Sequence, residues 1–171
     1  MRYVKILLSA MVPLLSACVY QPVVDWGNPE ATKSRVNIEL DEFKKEVKYR
    51  GPDINKSFDT VFIRAWKHID INQITYQIYA RDIYRGDWHF YDSAYDDDGN
   101  KLDTTLISRD VVSCGLYGCT YSEDLGINIT RGYLSLHTAS GIRFKISGTA
   151  GEQIFFIPGG YIKGFLAAVP K

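Results

Sequence analysis

The sequence predicts a mainly β fold, an antiparallel β-sandwich of immunoglobulin-like or related type, with one or two short helices near the C-terminus. Three observations carry this. From Val36 onward apolar residues recur with period two, the mark of strands with one buried and one wetted face. Turn residues at Gly51-Pro52, Arg85-Gly86, Asp98-Gly99 and Gly115 punctuate the series at near-regular spacing. Only after Pro158 do the apolar positions change to a helical stripe.

In chain order, Phe43, Lys45, Val47 and Tyr49 share a face before the Gly51-Pro52 break, which predicts a strand, although Asp41 to Lys48 also fits a short helix. Thr60 to Lys67 alternates Val61, Ile63 and Ala65 against Phe62, Arg64 and Trp66. Gln73 to Tyr84 places Ile74, Tyr76, Ile78 and Ala80 on one side. Trp88 to Ala94 and Leu102 to Ser113 are the arms of an expected hairpin around Asp96 to Asn100, and Leu125 to Ile129 is a further strand. Thr130 is placed to cap a helix from Arg131 to Ser140 that Gly141 ends. Strands Ile142 to Ser147 and Gln153 to Ile157 follow. Tyr161, Ile162, Phe165, Leu166 and Val169 then form the stripe of a terminal helix that Pro170 stops.

The first residues carry a different signal. Arg2 and Lys5 precede an apolar run from Ile6 to Leu15, and the run ends in Leu15-Ser16-Ala17-Cys18. This is the charged, apolar and small-residue order of a secretory leader, and the run is about half the roughly 20 residues a spanning helix needs. The segment resembles the signal peptide and lipobox of bacterial lipoproteins. The resemblance implies cleavage before Cys18, lipid on its sulfur and acylation of the new amino group. Val19, where an aspartate marks inner-membrane retention, resembles the outer-membrane class. The expected organisation is thus a leader over 1–17, a tether over 18–34 rich in Pro22, Gly27, Asn28 and Pro29, and one domain over 35–171. Trp26 in the tether suits either a dock on the domain or the headgroup region.

Twenty basic and twenty acidic residues balance, and removal of Arg2 and Lys5 leaves 18 against 20. No basic run or patch offers a footprint for nucleic acid. In an oxidising compartment Cys114 and Cys119 are expected to form a disulfide closing a short loop, a gain of about 2 kcal/mol in the chain-entropy model. Their spacing is wider than the thiol-exchange motif.

Signs of chemistry are sparse. Asp96, Asp98 and Asn100 are the only weak calcium candidate; the EF-hand spacing fails at Gly99 and Ile107, and Asp98-Gly99 is itself a hairpin turn. His68, His89 and His137 show no zinc-site spacing. Glu123 and Asp124 are the carboxylates a hydrolase of wall or lipid substrates would use, and no activated nucleophile accompanies them. Tyr84, Trp88, Tyr91 and Tyr117 are the candidate binding residues, since aromatics on adjacent strands hold sugars, peptides or a protein as readily as they pack a core. No cofactor is expected. The reading favours a non-enzymatic, outer-membrane-anchored envelope lipoprotein, held by lipid on Cys18, whose loop edge around Cys114 to Cys119 meets an envelope protein partner. A module for envelope glycan or a small ligand is the alternative.

Overall fold

The computed structural model describes residues 24–56, 58–71 and 73–170; the expected leader and Cys18 lie outside them. The described chain is mainly β and antiparallel throughout, with three short helices. The elements are α1 (Pro29–Lys33), β1 (Asn37–Asp41), β2 (Glu46–Arg50), β3 (Ile54–Lys56), β4 (Asp59–His68), β5 (Gln73–Arg85), β6 (Tyr91–Asp96), β7 (Lys101–Gly115), β8 (Gly118–Ile129), α2 (Arg131–Leu136), β9 (Ile142–Gly148), β10 (Glu152–Ile157) and α3 (Gly159–Ala168). Nine strands join in one hydrogen-bonded path, β1-β2-β4-β5-β8-β7-β6-β9-β10, and β3 adds to β4. That continuity is what strand spacing did not indicate. One end of the path, β10, comes back against β4, the third strand from the other end, where Gln153 Nε2 donates to Asp59 Oδ2 at 2.5 Å.

Period two explains the core. Ile63, Ile78 and Ile127 stand opposite one another across β4, β5 and β8, and Val61, Ala80 and Leu125 form the next row. All six are at most 3% exposed. Phe144 and Phe155 stack at 5.5 Å on β9 and β10, and Tyr161, Ile162 and Phe165 of α3 complete the same cluster. The stripe predicted after Pro158 is therefore the face that seals the sheet. The buried Tyr161 hydroxyl accepts from the Ile63 amide at 3.3 Å and donates to the Pro52 carbonyl at 2.7 Å, which meets the need of a polar tip inside an apolar core.

The segment expected as a tether is partly docked. Asn28 caps α1 through its side chain, which accepts from the Glu30 amide at 3.1 Å. Helix α1 lies on α3, and Trp26 meets Tyr161 edge-on at 5.7 Å. No helix among the described residues is long and apolar enough to cross a membrane.

Some boundaries differ from expectation for local reasons. Residues 42–45 are a turn, Lys45 has φ 51°, and Phe43 is fully exposed rather than sharing a face with Val47 and Tyr49. Phe90 at φ 54° breaks the expected arm from Trp88, so β6 begins at Tyr91 and pairs with β7 only at Ala94–Leu102 and Tyr95–Lys101. The Thr130 hydroxyl does cap α2, accepting from the Tyr133 amide at 3.0 Å, but the regular helix stops at Leu136; residues 137–140 continue as turns, and Gly141 at φ 81° closes them with its amide on the His137 carbonyl at 2.9 Å. Strand β8 reaches back to Gly118, pairing first with β7 and, from Thr120, with β5.

Candidate functional site

Along the inner face of the sheet the rows change character toward the β7–β8 turn. After the apolar row of Val61, Ala80 and Leu125 comes an ionisable one: Asp59 follows beside Asp82, Asp82 faces Glu123, and Glu123 faces Arg109. The next row is aromatic, Tyr84 opposite Tyr121. Strand parity alone aims these residues inward. Arg109 needs one thing more. The register of β7 shifts between Leu106 and Ser108, and this bulge at Ile107 turns Arg109 to the inner face where Ser108 would otherwise stand.

Glu123 is fully buried and accepts four bonds. Arg109 Nε reaches Oε2 at 2.8 Å, the Phe90 and Tyr91 amides donate at 2.9 Å each, and the Tyr84 hydroxyl donates to Oε1. Burial by itself raises this carboxyl, but the hydroxyl, the guanidinium and the two amides outweigh it and hold the group below the usual carboxylate range. Its role is to fasten the 88–91 segment onto the sheet. Arg109 Nη2 adds a bond to the Tyr91 carbonyl at 2.8 Å. Asp82, 4% exposed, is different: burial pushes it up to about 6 against the pull of the Tyr91 hydroxyl, which donates at 2.6 Å, and Asp59 and Glu123 add to the rise. His89 Nδ1 stands 2.7 Å from the same hydroxyl, and burial lowers the pKa of its imidazole.

Among the candidate binding residues, Tyr84, Trp88 and Tyr91 come together and Tyr117 does not. Tyr84 stacks on His89 at 3.6 Å, and Trp88 lies 4.3 Å from Tyr121. Tyr91 is completely buried, its hydroxyl committed to Asp82 and His89. Tyr117 sits on the two-residue turn Leu116-Tyr117 between β7 and β8, and the pair is 98% and 95% exposed. The Cys114–Cys119 disulfide is formed directly beneath that turn, in the pair next to Gly115–Gly118. Val111 and Val112 on the same hairpin are each 55% exposed.

Glu123 and Asp124 do not converge. Successive strand residues point to opposite faces, so Asp124 is on the outer face of the sheet, buried under Arg81, whose Nε donates to it at 2.8 Å, and Tyr79, whose hydroxyl also donates. Asp96, Asp98 and Asn100 form a turn closed on itself: Asp96 Oδ1 accepts from the Asp98 and Asn100 amides at 3.1 and 2.9 Å, and the Asn100 side chain donates back to Asp96. His68 ends β4, His89 lies in the connection between β5 and β6, and His137 is the C-cap of α2. Among the described residues no group of three or more His, Cys, Asp or Glu is placed to hold a metal ion. An open groove of about 500 Å³ runs between β3–β4 and β10, lined by Val61, Phe155, Phe156 and Pro158 with Asp59 on its wall.

Sequence reasoning passed over Asp59, Asp82, Arg109 and Tyr121. A signal existed for Asp82 and Glu123, acids at the inward parity of otherwise apolar strands; for Arg109 the bulge hid it.

No protein-family model, no curated protein and no solved structure matches the chain.

Proposed function

We propose that the chain is an envelope lipoprotein, tethered by lipid on Cys18, which docks a protein partner through the tip of the β7–β8 hairpin. The observation that carries this reading is the turn itself. The left-handed conformation of this turn falls on Gly118, at φ 104°, so the backbone leaves positions 116 and 117 free to carry the polar residues that turns in water ordinarily hold. Here Leu116 and Tyr117 stand almost wholly in solvent above a disulfide. An aromatic anchor on a covalently braced loop loses little freedom on docking, which favours affinity. Two acyl chains or more would keep the domain at the envelope surface, where effective concentration strengthens a modest contact. The glycan or small-ligand alternative rests on Trp88 and Tyr121, whose rings meet at 4.3 Å near the base of the same hairpin.

The test is photo-crosslinking in cells with a photoreactive residue at position 117, against the same residue at 43, which is equally exposed on the β1–β2 turn. A discrete adduct from 117, absent from 43 and weakened by Leu116→Ser and by Cys18→Ala, is the expected result. Equal adducts from both positions, or none from 117, would overturn the docking role.

A further inference from the structure

The outer face of the sheet carries a second row. Asn37, Arg50, Arg64, Gln77, Asn128 and Asp103 stand directly opposite one another across six strands. From Arg64 onward the row is a hydrogen-bonded chain. Arg64 Nε donates to Gln77 Oε1 at 2.9 Å and its Nη2 to the same oxygen at 2.5 Å. Gln77 Nε2 reaches Asn128 at 2.7 Å, and Asn128 Nδ2 ends the chain on Asp103 at 2.8 Å. Gly126 makes this possible. A Cβ there would come within 2.5 Å of the Gln77 amide carbon, so the glycine lets Gln77 lie flat along the sheet.

The basic end of the row lacks balance. Arg50 and Arg64 are direct cross-strand neighbours, an arrangement of like charges that costs stability. Arg50 pairs with Asp53 at 2.5 Å and lies 3.9 Å over the Phe62 ring. Arg64 is packed between Trp66 and Tyr79, 4.8 and 5.2 Å from their ring centres, and among the described residues its hydrogen-bond acceptor is the neutral oxygen of Gln77. Burial lowers the pKa of its guanidinium and the Arg50 charge adds to that, against the opposing effects of Tyr79 and Asp124. Asp124 is committed to Arg81 and Tyr79, so among the described residues Arg64 has no carboxylate hydrogen-bonded to it, and a half-buried guanidinium in that position gains from an anion that binds it directly. A cavity of about 170 Å³ opens at this point, lined by Glu39, Lys48, Arg50, Phe62, Arg64 and Trp66. Lys48 is held by Asp41 at 2.7 Å, so Glu39 is the acid that an incoming anion would face.

We infer that this recess on β1, β2 and β4 is a binding site for a phosphate group, with the Arg64 guanidinium as its principal ligand and Arg50 as the second. Planar guanidinium forks suit the oxygens of a phosphate. The recess is smaller than the roughly 300 Å³ at which drug-sized sites begin, so it takes the phosphate and little of what carries it. The carrier is either a membrane headgroup or a soluble phosphate ester.

The test is titration of the purified Cys18→Ala protein with inorganic phosphate at constant ionic strength, read at the Trp66 indole N–H by heteronuclear NMR. A saturable shift is expected, weakened at least about tenfold by Arg64→Gln and less by Arg64→Lys, with thermal melts showing each variant folded. No shift, or a shift that Arg64→Gln leaves intact, would overturn the site. Arg50→Gln gives a second reading should the Arg64 variants fail to fold: retained phosphate affinity there would count against the paired guanidinium arrangement. Cosedimentation with phosphatidylglycerol vesicles separates the sources. Retention that depends on Arg64 assigns a headgroup; phosphate binding without retention assigns a soluble ester.

Discussion

Glu123 and Asp82 face each other across two strands, and their surroundings drive them in opposite directions. Glu123 is wrapped by donors and stays ionised; Asp82 has the Tyr91 hydroxyl but also Asp59, and burial decides its pKa of about 6. The consequence is a defined pH dependence. A carboxyl raised on folding binds its proton more tightly in the native state, so stability falls as pH rises through the window between about 4 and about 6. Glu123 and Asp124, both lowered, act the other way and lose their contribution in more acidic solution. Asp82→Asn should therefore remove the decline between pH 4 and pH 6 while leaving the acid limb in place. Melting temperatures of the two proteins across pH 3 to 7 check this, and parallel curves would show that Asp82 titrates normally. Little of this was legible beforehand. The polar residues at inward parity were visible, but burial and the approach of Asp59 depend on three strands that meet only in the folded sheet.

At the scale of elements, the helix stripe after Pro158 was legible and the docking of α1 was not. The stripe survives because 3.6-residue periodicity is a local property. Helix α1 has five residues and a single buried one, Thr32, too little apolar surface to announce itself. What holds it is close approach to α3: a Cβ on Gly164 would stand 2.1 Å from the Pro29 carbonyl oxygen. Gly164→Ala should therefore push α1 off α3 and cost about 1–3 kcal/mol, the range for overpacking. Faster amide exchange confined to residues 29–35 would report it. Unchanged protection there would mean that the helices can separate slightly without loss. Strand β7 teaches the complementary lesson. Its alternation predicts a strand correctly, yet a first register shift at Ile107 inverts the parity and a second at Val112 restores it, so the side faced by the residues between them could not be read from position alone.

For the whole molecule, the path β1-β2-β4-β5-β8-β7-β6-β9-β10 separates stability from the proposed docking tip. The core rows lie between α3 and the middle of the strands, whereas Leu116 and Tyr117 sit beyond the last β5–β8 pair, Arg85–Thr120. Leu116→Ser and Tyr117→Ser should each change stability by less than about 0.5 kcal/mol, as exposed substitutions do. Urea denaturation provides the measurement, and a loss above 1 kcal/mol would mean that the tip folds back on the body. If Leu116→Ser stays stable while the position-117 adduct disappears, binding and folding are carried by different parts of the sheet.

Period two, turn residues and the terminal stripe determine from sequence alone that this is an antiparallel β protein sealed by a C-terminal helix, and the cysteine pair determines its one described disulfide. These are local matters, set by which residues share a face within a few positions of one another. Tertiary structure decided the rest: one continuous sheet, a buried acid row on its inner face, the Arg50–Arg64 pair on its outer face, and a hairpin tip left in solvent. Each of these depends on register between strands that are distant in sequence. A register is the sum of many weak cross-strand contacts and of bulges that shift parity, and no single stretch of chain contains it.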